Sequence, residues 1–102
     1  MFQMKKVSGG VIMTDCTDQK TMLMESLSYD LPVLRARVGL SQEELADRIG
    51  ISRQTYGGIE TGRREMTWTI FMALLGFYQS NEQTLNMLKH KEGFLDNVEK
   101  VL

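Results

Sequence analysis

No part of this 102-residue chain leaves its backbone fewer choices than Gln42 to Glu60, QEELADRIGISRQTYGGIE. Ser41 is an N-cap residue, Glu44 stands three positions later to reach back to the Ser41 amide, and Leu40 and Leu45 hold the hydrophobic-staple positions on either side. A helix therefore starts at Gln42, and Leu45, Ala46 and Ile49 give it an apolar face at helical spacing. Gly50 supplies the left-handed residue of a Schellman turn, which brings Ile51 back against Ala46. Ser52 caps a second helix at once, with Ile51 and Tyr56 as its staple pair. One isoleucine thus ties the end of the first helix to the start of the second and fixes the angle between them.

Down the second helix, at about 100° per residue from Tyr56, Ile59 and Glu60 share the inward sector. Gln54, Gly58 and Thr61 point the opposite way, and Arg53 and Gly57 lie to the side. An outward face of Arg, Gln and glycine packs poorly. It suits a rod laid in a groove where backbone must come close, with Arg offering a planar fork to guanine and Gln a donor and an acceptor to adenine. Glu60, turned inward, needs a partner.

The flanking segments read as further helices. Met22, Leu23, Ser26 and Leu27 fall at helical spacing after a cap at Thr17 or Asp18. Pro32 suits the first turn of a separate helix, with Asp30 outside it as cap, Leu31, Leu34 and Val38 buried, and Gly39 ending it. Thr67 caps a helix whose broad stripe of Trp68, Phe71, Met72, Leu74, Leu75 and Tyr78 closes the core. Ser80 and Gln83 form another capping box, predicting a helix from Asn81 to Lys89 with Leu85 and Leu88 inward. After Gly93, the narrow stripe of Phe94, Leu95, Val98, Val101 and Leu102 either packs on its own domain or pairs with a second copy; pairing over 94–102 is the expectation, because a reader of two-fold sites needs two heads.

The run LRARVGLSQEELADRIGISRQTYGGIETGRR resembles the helix-turn-helix domain of the Cro and phage-repressor type, the Xre family, and the likeness covers roughly Leu31 to Ser80. It implies an all-α, lambda-repressor-like bundle of about five helices, with extra N- and C-terminal helices, that binds double-stranded DNA as a small transcriptional regulator. By resemblance, Gln42 bonds a phosphate and braces Gln54. Arg53, Gln54 and Gly58 then face the major groove, and Ser52, Thr55, Arg63 and Arg64 hold phosphates. Arg35 matches the position that pairs with the equivalent of Glu60, so an Arg35–Glu60 ion pair is expected. Two departures stand out: Tyr56 replaces a small aliphatic residue, and Gly57 and Gly58 fall in mid-helix, at a cost of about 0.8 to 1 kcal/mol each. Either those glycines let the helix approach DNA closely, or the fold serves another purpose. An antitoxin-like module that holds a protein partner through 94–102 is the alternative.

Length fits one domain, divided as an arm over 1–16, the DNA-binding unit over 17–80 and terminal helices over 81–102. The longest apolar run, Ile70 to Tyr78, is too short for a bilayer, and Val7 to Met13 is too broken for a signal-peptide core, which points to the cytoplasm and away from membranes. Cys16 and His90 are the only residues of their kinds, so neither a disulfide within the chain nor an ordinary zinc site is expected. No catalytic constellation, metal or cofactor is implied. The net charge of −1 argues against strong non-specific DNA binding. From Leu31 to Met66, however, six arginines face five acids, and every basic residue there is Arg while all outside are Lys. Arg is the better fork for bases and phosphates. The arm over 1–16 is expected to be a flexible tail, and a minor-groove or phosphate contact from Lys5 and Lys6 is the alternative.

Overall fold

The computed structural model describes residues 16–102. Among them it contains six helices and no strand: α1 (Cys16–Val38), α2 (Gln42–Ile49), α3 (Arg53–Glu60), α4 (Trp68–Gln79), α5 (Glu82–His90) and α6 (Phe94–Val101). The expected arm over 1–16, with Lys5 and Lys6, lies outside the described residues apart from Cys16, the first residue of α1.

α1 corrects one expectation. Instead of ending before Pro32 and restarting, the helix runs through the proline without a break. A mid-helix proline removes one backbone bond and costs about 3 kcal/mol. Here Leu23, Leu27, Leu31 and Leu34 form one stripe across the supposed joint, and all four are buried in the core. Breaking the helix would throw half of that stripe out of register, and each buried leucine is worth about 1.5 to 3 kcal/mol. Pro32 itself is exposed.

This helix is the spine on which the others assemble, since α3, α4, α5 and α6 all pack on it while α2 packs on α3 and α4. Phe71, Leu74, Leu75 and Tyr78 of α4 are buried as expected, and Thr67 caps that helix by accepting from the Ile70 amide at 3.2 Å. Trp68 stacks on Phe71 at 4.7 Å between ring centroids, and Phe71 meets Phe94 at 6.3 Å, which joins α4 to α6.

Two further expectations change in the C-terminal part. The cap of α5 is Asn81, whose side chain accepts from the Thr84 amide at 3.1 Å, whereas the Ser80 hydroxyl donates to the Phe77 carbonyl and finishes α4. That shift of one residue turns Thr84 inward, fully buried, where its hydroxyl donates to the Tyr78 carbonyl at 2.7 Å; Leu85 becomes half-buried and Leu88 stays in the core. In α6, Phe94 and Val98 belong to the chain's own core. The expected pairing stripe is thus largely spent within the chain, because α6 packs on α1. A Lys91–Asp30 ion pair of 2.7 Å fastens the same junction to α1.

No helix among the described residues is long and apolar enough to cross a membrane, and among them no group of three or more His, Cys, Asp and Glu side chains is placed to hold a metal ion.

Candidate nucleic-acid interface

The corner between α2 and α3 is built from local bonds. Ser41 and Glu44 exchange both bonds of a capping box, the Glu44 amide donating to Ser41 Oγ at 3.0 Å and the Ser41 amide to Glu44 Oε1 at 2.8 Å. The Ser41 amide holds the Glu44 carboxyl below its ordinary range. At the other end Gly50 has φ +82, a conformation that a Cβ disfavours. Its amide donates to Asp47 O, and that of Ile51 to Ala46 O at 3.0 Å, the bond pair of a Schellman turn. Ser52 Oγ then accepts from the Thr55 amide at 3.0 Å and starts α3.

On the inward side of α3 every polar atom has work. Arg35 reaches Glu60 with two parallel bonds, Nε to Oε2 at 2.9 Å and Nη2 to Oε1 at 2.8 Å, and its third nitrogen donates to the Leu40 carbonyl at 3.0 Å. The expected ion pair is present, and the Glu60 side chain is only 6 % exposed. Two more donors join it: Tyr56 Oη at 2.6 Å and Gln42 Nε2 at 3.0 Å. Burial alone would raise the Glu60 carboxyl, but the hydrogen bonds from Arg35, Tyr56 and Gln42 outweigh it and hold the group down at about 2. Burial pushes the Tyr56 phenol upward, and its bond to Glu60 adds to the shift. The bulky Tyr56, unlike a small aliphatic residue, therefore brings the carboxylate its own donor. The signal for that bond was in the sequence, since Tyr56 and Glu60 stand four apart on one helix face.

Gln42 departs from expectation. Its amide nitrogen is committed to Glu60, not to Gln54, because the buried carboxylate still has an acceptor site to fill once Arg35 and Tyr56 are bound.

On the outward side Arg53 and Gln54 are exposed and, among the described residues, make no hydrogen bond or ion pair. Arg53 stands in the first turn, beside the positive end of the helix dipole and with no acid in that turn to offset it. The Ser52 hydroxyl donates to Thr55 Oγ1 at 2.9 Å, leaving the Thr55 proton to point elsewhere. Arg63 donates to Thr61 Oγ1 at 3.2 Å, while Arg63 and Arg64 are both exposed. Together Arg53, Gln54, Arg63 and Arg64 border a polar concavity of about 470 Å³ with Gln42 and the two glycines in its wall.

The glycines are accounted for inside the chain. A Cβ on Gly57 would lie 3.3 Å from Gln42 Oε1, and one on Gly58 would lie 3.2 Å from Arg64 Cβ. Gly58 is buried, not bare as its outward direction suggested. The reason is the loop that follows: Gly62 turns left-handed at φ +83, and the amides of Arg63 and Arg64 fold back onto the Gly58 carbonyl at 2.8 and 3.0 Å. The Arg64 stem is thereby laid along α3.

Residues 31–87 match the family model for a helix-turn-helix domain. No curated protein and no solved structure matches the chain.

Proposed function

The chain belongs to the helix-turn-helix domain family, and from that premise we propose that it reads duplex DNA by sequence as a small transcriptional regulator of the Cro and phage-repressor type, with α3 in the major groove. One observation carries this reading: Arg53 and Gln54 stand exposed and unpartnered on a helix whose opposite side is bonded to saturation. In this reading Arg53 and Gln54 read base edges, and Ser52, Thr55, Arg63 and Arg64 hold phosphates. Gln42 serves by fixing Glu60, and Gly58 by seating Arg64. The protein binds without catalysis, in the compartment that holds the DNA.

The surface needed for the alternative, a module that grips a protein partner through 94–102, is reduced to Leu95, Val101 and Leu102, since Phe94 and Val98 are buried. Pairing of two copies through the same residues would have only that edge to use. Duplex reading is therefore favoured over partner binding.

Site selection from random duplexes at stated salt tests the proposal, followed by titration of the chosen site. Gln54→Ala and Arg53→Ala should each weaken the chosen site by about 1 to 3 kcal/mol and leave random duplex nearly unchanged. Equal losses on both kinds of DNA would remove the two residues from base reading, and failure to enrich any site would remove the function.

A further inference from the structure

A second concavity lies on the other side of the loop after α3. One wall is α1, where Glu25 and Tyr29 are four residues apart and so share a face; the other is the end of α3 and the loop that leads to α4. The space measures about 480 Å³, within the range of about 300 to 1,000 Å³ typical of small-molecule sites. Its floor is apolar: Ile59 is 1 % and Met66 8 % exposed, with Met24 half-buried beside them. Tyr29 stands at the lip and is 86 % exposed, a large ring that the fold leaves uncovered.

The charges around this floor are one-sided. Glu25 and Glu65 are exposed and, among the described residues, neither has an ion-pair partner. Glu60 also borders the space but is already bonded by Arg35, Tyr56 and Gln42. Arg64 is the single cation among the lining residues. Two free carboxylates over an apolar floor, with an aromatic face at the rim, complement a ligand that is apolar at one end and cationic at the other. The ring or alkyl body lies on Met24 and Met66, and the ammonium takes Glu25 and Glu65, with the Tyr29 face beside it. A carboxylate ligand would meet repulsion here, and an uncharged one would leave both glutamates unused.

The groove is joined to the outer face of α3. Thr61 and Arg64 line both concavities, and Arg64 is the side chain that rests on Gly58. A ligand that shifts Arg64 changes what α3 offers to phosphate, and by linkage DNA would change the ligand's affinity by the same factor. We propose that the groove between α1 and the 61–66 loop binds a small arylalkyl amine, and that occupancy alters DNA affinity through Arg64. The binding half stands on the groove alone, while the regulatory half rests on the proposed function.

The test uses the full chain and 2-phenylethylamine as probe, followed by amide chemical-shift mapping, with 2-phenylethanol and phenylacetate as neutral and anionic counterparts. Saturable shifts are expected to centre on residues 21–29 and 59–66. The Glu25→Gln, Glu65→Gln double variant should weaken the amine about tenfold, consistent with two exposed ion pairs, and bring it level with 2-phenylethanol; Tyr29→Ala should weaken it less. All three side chains are exposed, so these variants keep the fold. Absence of saturable shifts, shifts centred elsewhere, or equal binding of phenylacetate would overturn the site. So would shifts at the same residues that depend on protein concentration without probe, which would place a second copy in the groove. On a selected duplex, the amine should change affinity in the parent chain and not in Arg64→Ala. Binding of the amine with no effect on a duplex that does bind overturns the regulatory half. Binding of the amine by a chain that selects no duplex leaves the site standing and removes the DNA reading instead.

Discussion

The two sides of α3 treat polar atoms in opposite ways. Inward, the Glu60 carboxylate receives bonds from Arg35, Tyr56 and Gln42. Outward, Arg53 and Gln54 receive none among the described residues. Both sides belong to one eight-residue helix, so local propensity does not explain the difference. A buried charge left unpaired costs several kcal/mol, whereas an exposed fork is solvated by water and costs nothing to leave open. The contrast separates what holds α3 in place from what α3 presents, and it implies that substitutions on the two sides should fail in different assays.

The largest effect should come from Glu60→Ala, which strands Arg35 and removes an acceptor from Tyr56 and Gln42. Urea unfolding is expected to show a loss of about 3 to 5 kcal/mol; a loss below 1 kcal/mol would mean that the inward side does not hold the helix. The same carboxylate sets a pH signature. Its group titrates at about 2 when folded against an ordinary 4.5, so the folded state binds its proton less readily than the unfolded one. Its contribution is complete above pH 4.5 and is lost as pH falls toward 2. Glu60→Gln should flatten stability over that window.

Tyr56→Phe deletes one bond to a charged acceptor and keeps the ring, so stability should fall by about 1.5 to 3 kcal/mol. Recovery of the parent stability in this variant would reassign the tyrosine to packing alone. On the outward side Arg64→Ala should leave unfolding within about 0.5 kcal/mol of the parent. It should weaken all duplexes alike, with the salt slope of binding flattened by about one unit. A loss confined to the selected site would move Arg64 from phosphate to base reading.

The smallest effect is expected at the other buried tyrosine. The Tyr78 hydroxyl is buried without a partner among the described residues, and burial pushes its titration upward. Tyr78→Phe should leave stability unchanged or raise it by up to about 1 kcal/mol. A clear loss would reveal a partner for that hydroxyl and weaken the contrast between the two tyrosines.

The corner was legible in the sequence because its determinants are local. Ser41, Glu44, Gly50 and Ser52 each act on backbone within four residues, and each does what its position predicts. Arg35 and Glu60, twenty-five positions apart, were legible only through resemblance and the need of an inward carboxylate for a partner. What was illegible depended on neighbours distant in the chain. Pro32 reads as a helix start, and only the common burial of Leu27, Leu31 and Leu34 makes it a mid-helix residue. Gly57 and Gly58 read as bare backbone; Gln42 and Arg64, which arrive from elsewhere, occupy the space beside them. The cap of α5 moved by one residue because Thr84 could bond the Tyr78 carbonyl across a turn. The outward Arg53 and Gln54 lie where the helical angles put them, exposed.

The packing of α6 on α1 orders events during synthesis. Leu23 borders the same hollow as Asn97 and Lys100, so its side of α1 stays wet until α6 has left the ribosome. The two helices of the reading corner, α2 and α3, precede Ser80 and emerge earlier. The nascent chain thus keeps Leu23 uncovered longest, after the corner that carries Arg53 and Gln54 is complete.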